Sequence, residues 1–405
     1  MSNTKIYKLE GKVQHYTWGG TDFIPALLHL TNTDKKPFAE YWMGAHDNVP
    51  AEVVLPDGSK QPLNGFIKQD AAALLGSNVN KRFGRLPYLF KVLDVKDMLS
   101  IQVHPSKKAA ESAFAAENMK GTPLNASNRN YKDDNHKPEL MLALSDFWLL
   151  HGFKAPQALV TILMQTPELQ FLVPVFDGKN YHALYELVMT MDQHEVEEHL
   201  QPLLDRIVPL YEKGFLNRSE EDFWAARAAK TFCDANKIDR GIFSIYLFNL
   251  VNLKPGEAIF QDAGIPHAYL EGQNMEIMAN SDNVLRGGLT NKYIDVPELM
   301  HHTKFEPVIP DILKGTTGSV TGETVFPTPA ADFELRRLEL KAGTPVALTA
   351  ATAEIYFVYE GAVKASADAH EINLEKGAAL FTTAGASFTF QPAQNALIFR
   401  ATVPQ

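Results

Sequence analysis

One pattern of thirteen positions occurs twice in this chain. It reads Asn252-Leu253-x-x-Gly256-x-Ala258-x-Phe260-x-x-Ala263-Gly264 and again Asn373-Leu374-x-x-Gly377-x-Ala379-x-Phe381-x-x-Ala384-Gly385. Short apolar runs set between glycine-bearing turns, used twice, point to two copies of one β-supersecondary unit, as in a two-barrel jelly-roll protein. The expected fold class is therefore mainly β, with two jelly-roll barrels. The copies differ just beyond the repeat, where His267 in the first answers to Phe388 in the second. Polar chemistry is expected in the first unit, and a filling of side chains in the second.

A length of 405 residues exceeds one ordinary core and calls for two or three packed units. Residues 1–154 mix short strands and turns with two helical stretches, "LNGFIKQDAAALLG" at 63–76 and "PSKKAAESAFAAENMKG" at 105–121, the latter capped by Ser106. "LPYLFKVLDV" and "LSIQVHP" read as a strand pair, and "PELMLAL" as a buried strand. Residues 155–240 carry the three-to-four spacing of amphipathic helices and read as an inserted α-helical domain, with Ser219 as the cap of "SEEDFWAARAAKTF". Strand text resumes at "GIFSIYLFNLVNLKPGEAIF", so 241–320 complete the first barrel. Residues 321–405 form the second barrel, after a stretch rich in Pro, Gly and Thr.

Composition excludes several classes. No run of about 18 apolar residues is present, so no membrane partner is expected. The first twenty residues lack the apolar core and small-residue site of a secretory leader. Cys233 is the single cysteine, which rules out an internal disulfide and a thiolate metal cluster and makes a cytoplasmic location the natural expectation. A net charge of −10 argues against nucleic acid as partner, while leaving room for an anionic small molecule at a local Lys/Arg cluster. No phosphate-binding loop, dinucleotide glycine fingerprint or Gly-x-Ser-x-Gly turn occurs.

In "LSIQVHP", Ile101 and Val103 point one way and Ser100, Gln102 and His104 the other. Alone, that pattern describes a solvated strand face. "HKPEL" adds His136, Lys137 and Glu139 at the entrance to an apolar strand, where a buried carboxylate must find a cation, donors or a metal. "GIPHAYLEG" adds His267 and Tyr269. Two imidazoles, one carboxylate and one amide oxygen suit a borderline cation such as Zn²⁺, one per chain, and a single carboxylate leaves the site near +1. In "MEIMANSDNVLRGGLTNKYID", Glu276 lies on the face opposite Met275 and Ile277. Asn280, Asp282 and Asn283 read as a polar turn with capping asparagines, and Arg286 and Lys292, with Lys91 and Lys137, read as anion-facing. Trp18 is either a sugar-stacking wall or a core residue, and Glu40 with His46 reads as a hydrogen-bonded structural pair.

The stretches "QHYTWGG", "AEYWMGAH", "LFKVLDV", "LSIQVHPSK", "HKPEL", "AGIPHAYLEG" and "MANSDNVLRGGLTNKYID" resemble, in order across about the first 300 residues, the type I phosphomannose isomerases of the cupin superfamily. The resemblance implies cupin-type barrels, a zinc site of Gln102, His104, Glu139 and His267, and Arg286 in the active site. It departs at Asn291, where the family more often has proline. It also implies a zinc-dependent isomerase that interconverts mannose 6-phosphate and fructose 6-phosphate through a cis-enediol, working as a monomer in mannose metabolism. Within that chemistry Glu276 is the leading proton-transfer residue, with His136 and Lys137 as rivals. Asp282 assists Arg286, Lys91 and Ser100 take the phosphate with support from Lys292, and Trp18 and Tyr269 complete the sugar contacts. Two other classes stand beside it. His104, Glu139 and His267 also match a ferrous oxygenase triad, against which Gln102 and the cations argue, and a double barrel can serve as a non-catalytic sugar-binding protein.

Overall fold

The computed structural model describes residues 5–234, 237–368 and 370–404; the remaining positions of the expected units lie outside the described residues. The chain is mainly β, and its helices concentrate between Pro156 and Leu247. A ten-stranded sheet is organised by the long strand His267–Ala279, which pairs with Tyr88–Val95, Gln102–Val103, Glu139–Ala143 and Phe147–Phe153. A nine-stranded sheet joins C-terminal strands to Ile6–Glu10, whose Ile6 lies opposite Thr382, so N-terminal residues are hydrogen-bonded into the C-terminal sheet. No described helix is long and apolar enough to cross a membrane.

The repeated pattern takes the same backbone path twice. Phe248–Leu253, Ala258–Gln261 and the start of His267–Ala279 correspond to His370–Glu375, Ala379–Thr382 and Ser387–Pro392. Glu257 N–H donates to Lys254 O at 2.9 Å in the first turn, and Ala378 N–H to Glu375 O at 2.9 Å in the second. Gly256 and Gly377 both adopt left-handed backbone, at φ 88° and 83°, which a side chain would oppose. Phe388 meets Tyr356 and Phe390 edge-on within an apolar cluster, whereas His267 enters a polar interior.

Several local expectations change under tertiary contact. Residues 63–76 are two helices, Leu63–Gln69 and Ala71–Leu75, because Asp70 leaves helical geometry and its carboxylate accepts from Ala73 N–H. "GIFSIYL" is a helix, Gly241–Leu247, buried on every side, and a helix without an exposed face carries no periodicity to read. Helix Glu221–Phe232 starts after Glu220 with no side-chain cap from Ser219, and its first-turn Asp222 binds Arg206 and Tyr246. Tyr88–Val95 and Gln102–Val103 do not pair with each other; each pairs with a different part of His267–Ala279, on either side of the register shift at Tyr269/Glu271. Helix Lys107–Met119 keeps Ser106 as its cap, and Glu139–Ala143 is buried throughout.

Two interior clusters position the site. Ile101 and Val103 pack into the helical core with Leu285 and Leu289, which leaves the opposite face of that strand turned inward. Leu93, Met141, Ala143, Leu149, Val251 and Ile259 form an apolar cluster in the ten-stranded sheet. Lys91, Glu139 and His151 stand two positions from Leu93, Met141 and Leu149 on the same strands, so they share that inward face.

Candidate metal centre and cavity

Gln102 lies between two functional neighbours, paired with His267 on one side and Arg286 on the other. Directly opposed residues of paired strands share a face, so amide, imidazole and guanidinium form one row. The inward face read from "LSIQVHP" is thus covered by protein and cavity.

His104 is fully buried, and its Nδ1 lies 2.9 Å from the Asn283 carbonyl. His267 places Nδ1 3.0 Å from the Ile265 carbonyl. A carbonyl only accepts, so both Nδ1 atoms carry a proton, and each ring in its neutral form presents a lone pair at Nε2. Those Nε2 atoms stand 3.4 Å from Glu139 Oε1 and 3.4 Å from Glu139 Oε2. Burial pushes the His104 pKa down to about 4, and its Nε2 is a buried atom without a hydrogen-bond partner. Burial opposes ionisation of Glu139, yet the Lys137 ammonium, 3.1 Å from its Oε1, holds the carboxyl well below the usual range. Lone pairs of two neutral imidazoles aimed at a carboxylate repel it unless a cation lies between them. The three side chains offer ligand atoms all within 4.8 Å of one another, the only such His/Cys/Asp/Glu group among the described residues. The donors, two nitrogens and a carboxylate oxygen, suit zinc, and the hydrogen-bonded Nδ1 atoms are the usual outer support of metal-binding histidines.

A cavity of about 940 Å³ opens beside these residues, lined by Trp18, Lys91, Ser100, Gln102, Lys137, Asp282, Arg286 and Lys292 among others. The Arg286 side chain has no hydrogen bond or ion pair among the described residues, and burial lowers its pKa. Lys292 is likewise without a side-chain partner; burial and then Arg286 lower its pKa. Arg286 and Lys292 thus bring two side-chain cations without partners among the described residues to one cavity.

Lys91 is different. Its Nζ lies 3.1 Å from Glu276 Oε1 and 3.4 Å from Glu40 Oε2, so two carboxylates already match its charge. Burial works against that charge, but the carboxylates win and keep the lysine protonated. Glu276 is buried, with Tyr269 OH donating to its Oε2 at 2.9 Å, and burial raises its pKa.

Other expectations are redistributed. Glu276 and Tyr269 do not line the cavity; they lie behind Lys91. His136 does not line it either, because its Nε2 binds Asp332 at 2.9 Å. Glu40 and His46 are not each other's partners: Glu40 takes Trp42 and Lys91, and His46 binds Asp282 at 3.2 Å. Asp282 thus reaches the cavity held by His46, with no bond to Arg286. Trp18 stacks on Tyr16 at the cavity wall while packing on the apolar cluster below.

Asn283 was legible only as a capping asparagine, yet it is 1% exposed. Its side chain accepts from Lys132 N–H at 2.7 Å and donates to the Asp133 and Asn135 carbonyls, which fixes the carbonyl that orients His104. The signal that it is buried comes from the partner loop at 132–135, distant in sequence.

A model of the family described as phosphomannose isomerase type I, catalytic domain, matches residues 6–156. Mannose-6-phosphate isomerase of Salmonella typhimurium is 37% identical over 386 residues, covering 94% of this chain and 96% of that protein. The human mannose-6-phosphate isomerase is 33% identical over 436 residues, covering 99% of each. The crystal structure of the Salmonella typhimurium enzyme bound to fructose 6-phosphate and zinc superposes with a TM-score of 0.88 at 33% identity, covering 99% of this chain and 100% of that one.

Proposed function

This chain belongs to the type I phosphomannose isomerases, and from that membership we propose how its residues interconvert mannose 6-phosphate and fructose 6-phosphate. It is an aldose–ketose isomerase with one zinc ion per chain, held by His104, Glu139 and His267, with Gln102 as a fourth ligand from the adjoining strand position. The orphaned Nε2 of buried His104, aimed at Glu139, carries this reading. When bound, zinc supplies an electrophile toward the sugar oxygens at C1 and C2.

The isomerisation moves a proton between C1 and C2 through a cis-enediol. Glu276, its basicity raised by burial, is the proton-transfer carboxylate; lying behind Lys91, it takes the Lys91 ammonium proton, and the amine so freed at the cavity carries the proton between C1 and C2 before Glu276 returns its own. Lys137 lines the cavity as the rival; His136, engaged with Asp332, is withdrawn from that role. Arg286, next to Gln102 in the strand register, stabilises negative charge developing on the enediol oxygens. Lys292 with Ser100 takes the phosphate. Lys91 is withdrawn from that task because its charge is already matched. Asp282 sets the cavity edge through His46, and Trp18 offers the sugar an apolar wall.

The architecture fits two cupin-type barrels, 1–154 with 241–320 and 321–405, around the helical insertion 155–240. The twice-used strand-and-turn path supports it. A monomer in the cytoplasm that binds no nucleic acid accords with the single cysteine and the acidic charge.

Stripping the metal with a chelator and titrating zinc back, while following fructose 6-phosphate formation, tests the function. Turnover should vanish and return with one equivalent of zinc. Full turnover in the stripped protein would overturn the metal assignment.

A further inference from the structure

Asp239 has no part in the chemistry above, yet it is 4% exposed and forms no ion pair among the described residues. Its Oδ1 accepts from the backbone N–H of Gly241 at 2.7 Å and of Leu289 at 2.9 Å, and its Oδ2 from that of Thr290 at 3.1 Å. The turn into helix Gly241–Leu247 requires only the first of these bonds. The other two reach the segment that follows Arg286.

That segment is held in an unfavourable shape. Leu289 has φ 53° and is 1% exposed, the one buried non-glycine residue with left-handed backbone among the described residues. A leucine resists that region because its Cβ crowds the following carbonyl. On the other side, Gly287 N–H donates to Ile101 O at 2.9 Å and Ile101 N–H to Gly288 O at 3.0 Å, so the segment is wedged against the strand bearing Gln102. A Cβ on Gly288 would lie 2.5 Å from Gly241 Cα, so the two backbones touch where Asp239 grips. Strained backbone persists when its surroundings over-determine it, and here the surroundings are one carboxylate with three N–H donors.

We propose that Asp239 is a positioning residue that holds Leu289 in the left-handed conformation, so that Arg286 and Lys292 face the cavity together as its anion-binding wall. This rests on the reading of those two cations given above. The helical region thereby contributes to the site although none of its own side chains is assigned to the sugar.

The experiment compares zinc-loaded wild type with Asp239→Asn, Leu289→Gly and the double variant. Asparagine keeps the shape and Oδ1 but turns an amino group toward Thr290 N–H, donor against donor. Asp239→Asn should raise both KM for mannose 6-phosphate and the inhibition constant of inorganic phosphate about tenfold, the order expected for losing a hydrogen bond to a charged group. Zinc affinity by chelator competition should stay within about twofold, since the ligand set lies on other strands. Backbone hydrogen exchange in a peptide spanning 287–292 should speed up. On the Leu289→Gly background the same change should raise KM less than about threefold, because glycine holds left-handed backbone unaided. Unchanged KM and exchange in Asp239→Asn, or an equal rise in KM on both backgrounds, would overturn the proposal. Failure of inorganic phosphate to inhibit the wild type would sink the anion reading instead, and the exchange and double-variant arms would still decide the clamp.

Discussion

The two copies of the strand-and-turn unit share their turns, their left-handed glycines and their strand order, yet one opens a polar interior and the other closes on aromatic rings. The C-terminal interior also contains charge, but its buried Arg400, Glu354 and Glu323 match one another. Arg400 donates to Glu354 through Nε and Nη2 and to Glu323 through Nη1, and Tyr356 and Thr402 also donate to Glu354. In the first unit His104 Nε2 has no donor or acceptor to meet, and Arg286 has no carboxylate. A satisfied network stabilises and stays inert, whereas an unsatisfied one is an incomplete structure awaiting a ligand. The backbone therefore does not distinguish the catalytic unit from its structural counterpart; the balance of buried polar groups does.

Exchanging the residues that mark this difference gives the largest effect. His267→Phe places the second unit's residue in the first and should lower turnover by about a thousandfold or more, with zinc lost on metal analysis. Retention of both metal and a tenth of the turnover would show that His267 is not a ligand. The reverse change, Phe388→His, should cost about 4 kcal/mol in urea unfolding, from lost aromatic burial plus an unpartnered imidazole, and leave KM unchanged. The glycines sharpen the contrast further. A Cβ at Gly377 would come within 2.2 Å of the Leu27 carbonyl oxygen, but at Gly256 it meets only the Arg337 side chain, at 2.9 Å. Gly377→Ala should cost about 3 kcal/mol and Gly256→Ala about 1 kcal/mol; equal costs would mean the two turns are held alike.

The smallest effect is pH-dependent. His151 pairs with His267 across the sheet and its Nδ1–H donates to Gln261 Oε1 at 2.7 Å; burial pushes its pKa down to about 4. Its neutral form is favoured by folding, so its contribution is full above about pH 6.5 and is lost as pH falls toward about 4. At pH 5.5 the wild type should lose about 1 kcal/mol relative to pH 7.5 through this group, and His151→Leu should remove that part of the slope.

Ligand types and their facing were legible because alternation along a strand is a local property. Gln102 and His104 share a side whatever lies around them, and Glu276 opposes Met275 and Ile277 for the same reason. The repeat was legible because its turns demand glycine at fixed positions. Which partner each polar group takes was not legible. His136 meets Asp332, His46 meets Asp282, and Lys91 sits between two carboxylates, all through contacts far apart in sequence. Helix Gly241–Leu247 escaped for a related reason, since complete burial removes the polar face that reveals a helix.

The sequence by itself thus singled out His104, Glu139 and His267 as a group suited to a metal, through side-chain chemistry and family likeness. Only the tertiary structure decided which charges are left unmatched, because a charge is matched or open according to long-range strand pairing and burial. That accounting set Lys91 between two carboxylates and His136 against Asp332, and it brought Asp239 and Asn283 into view.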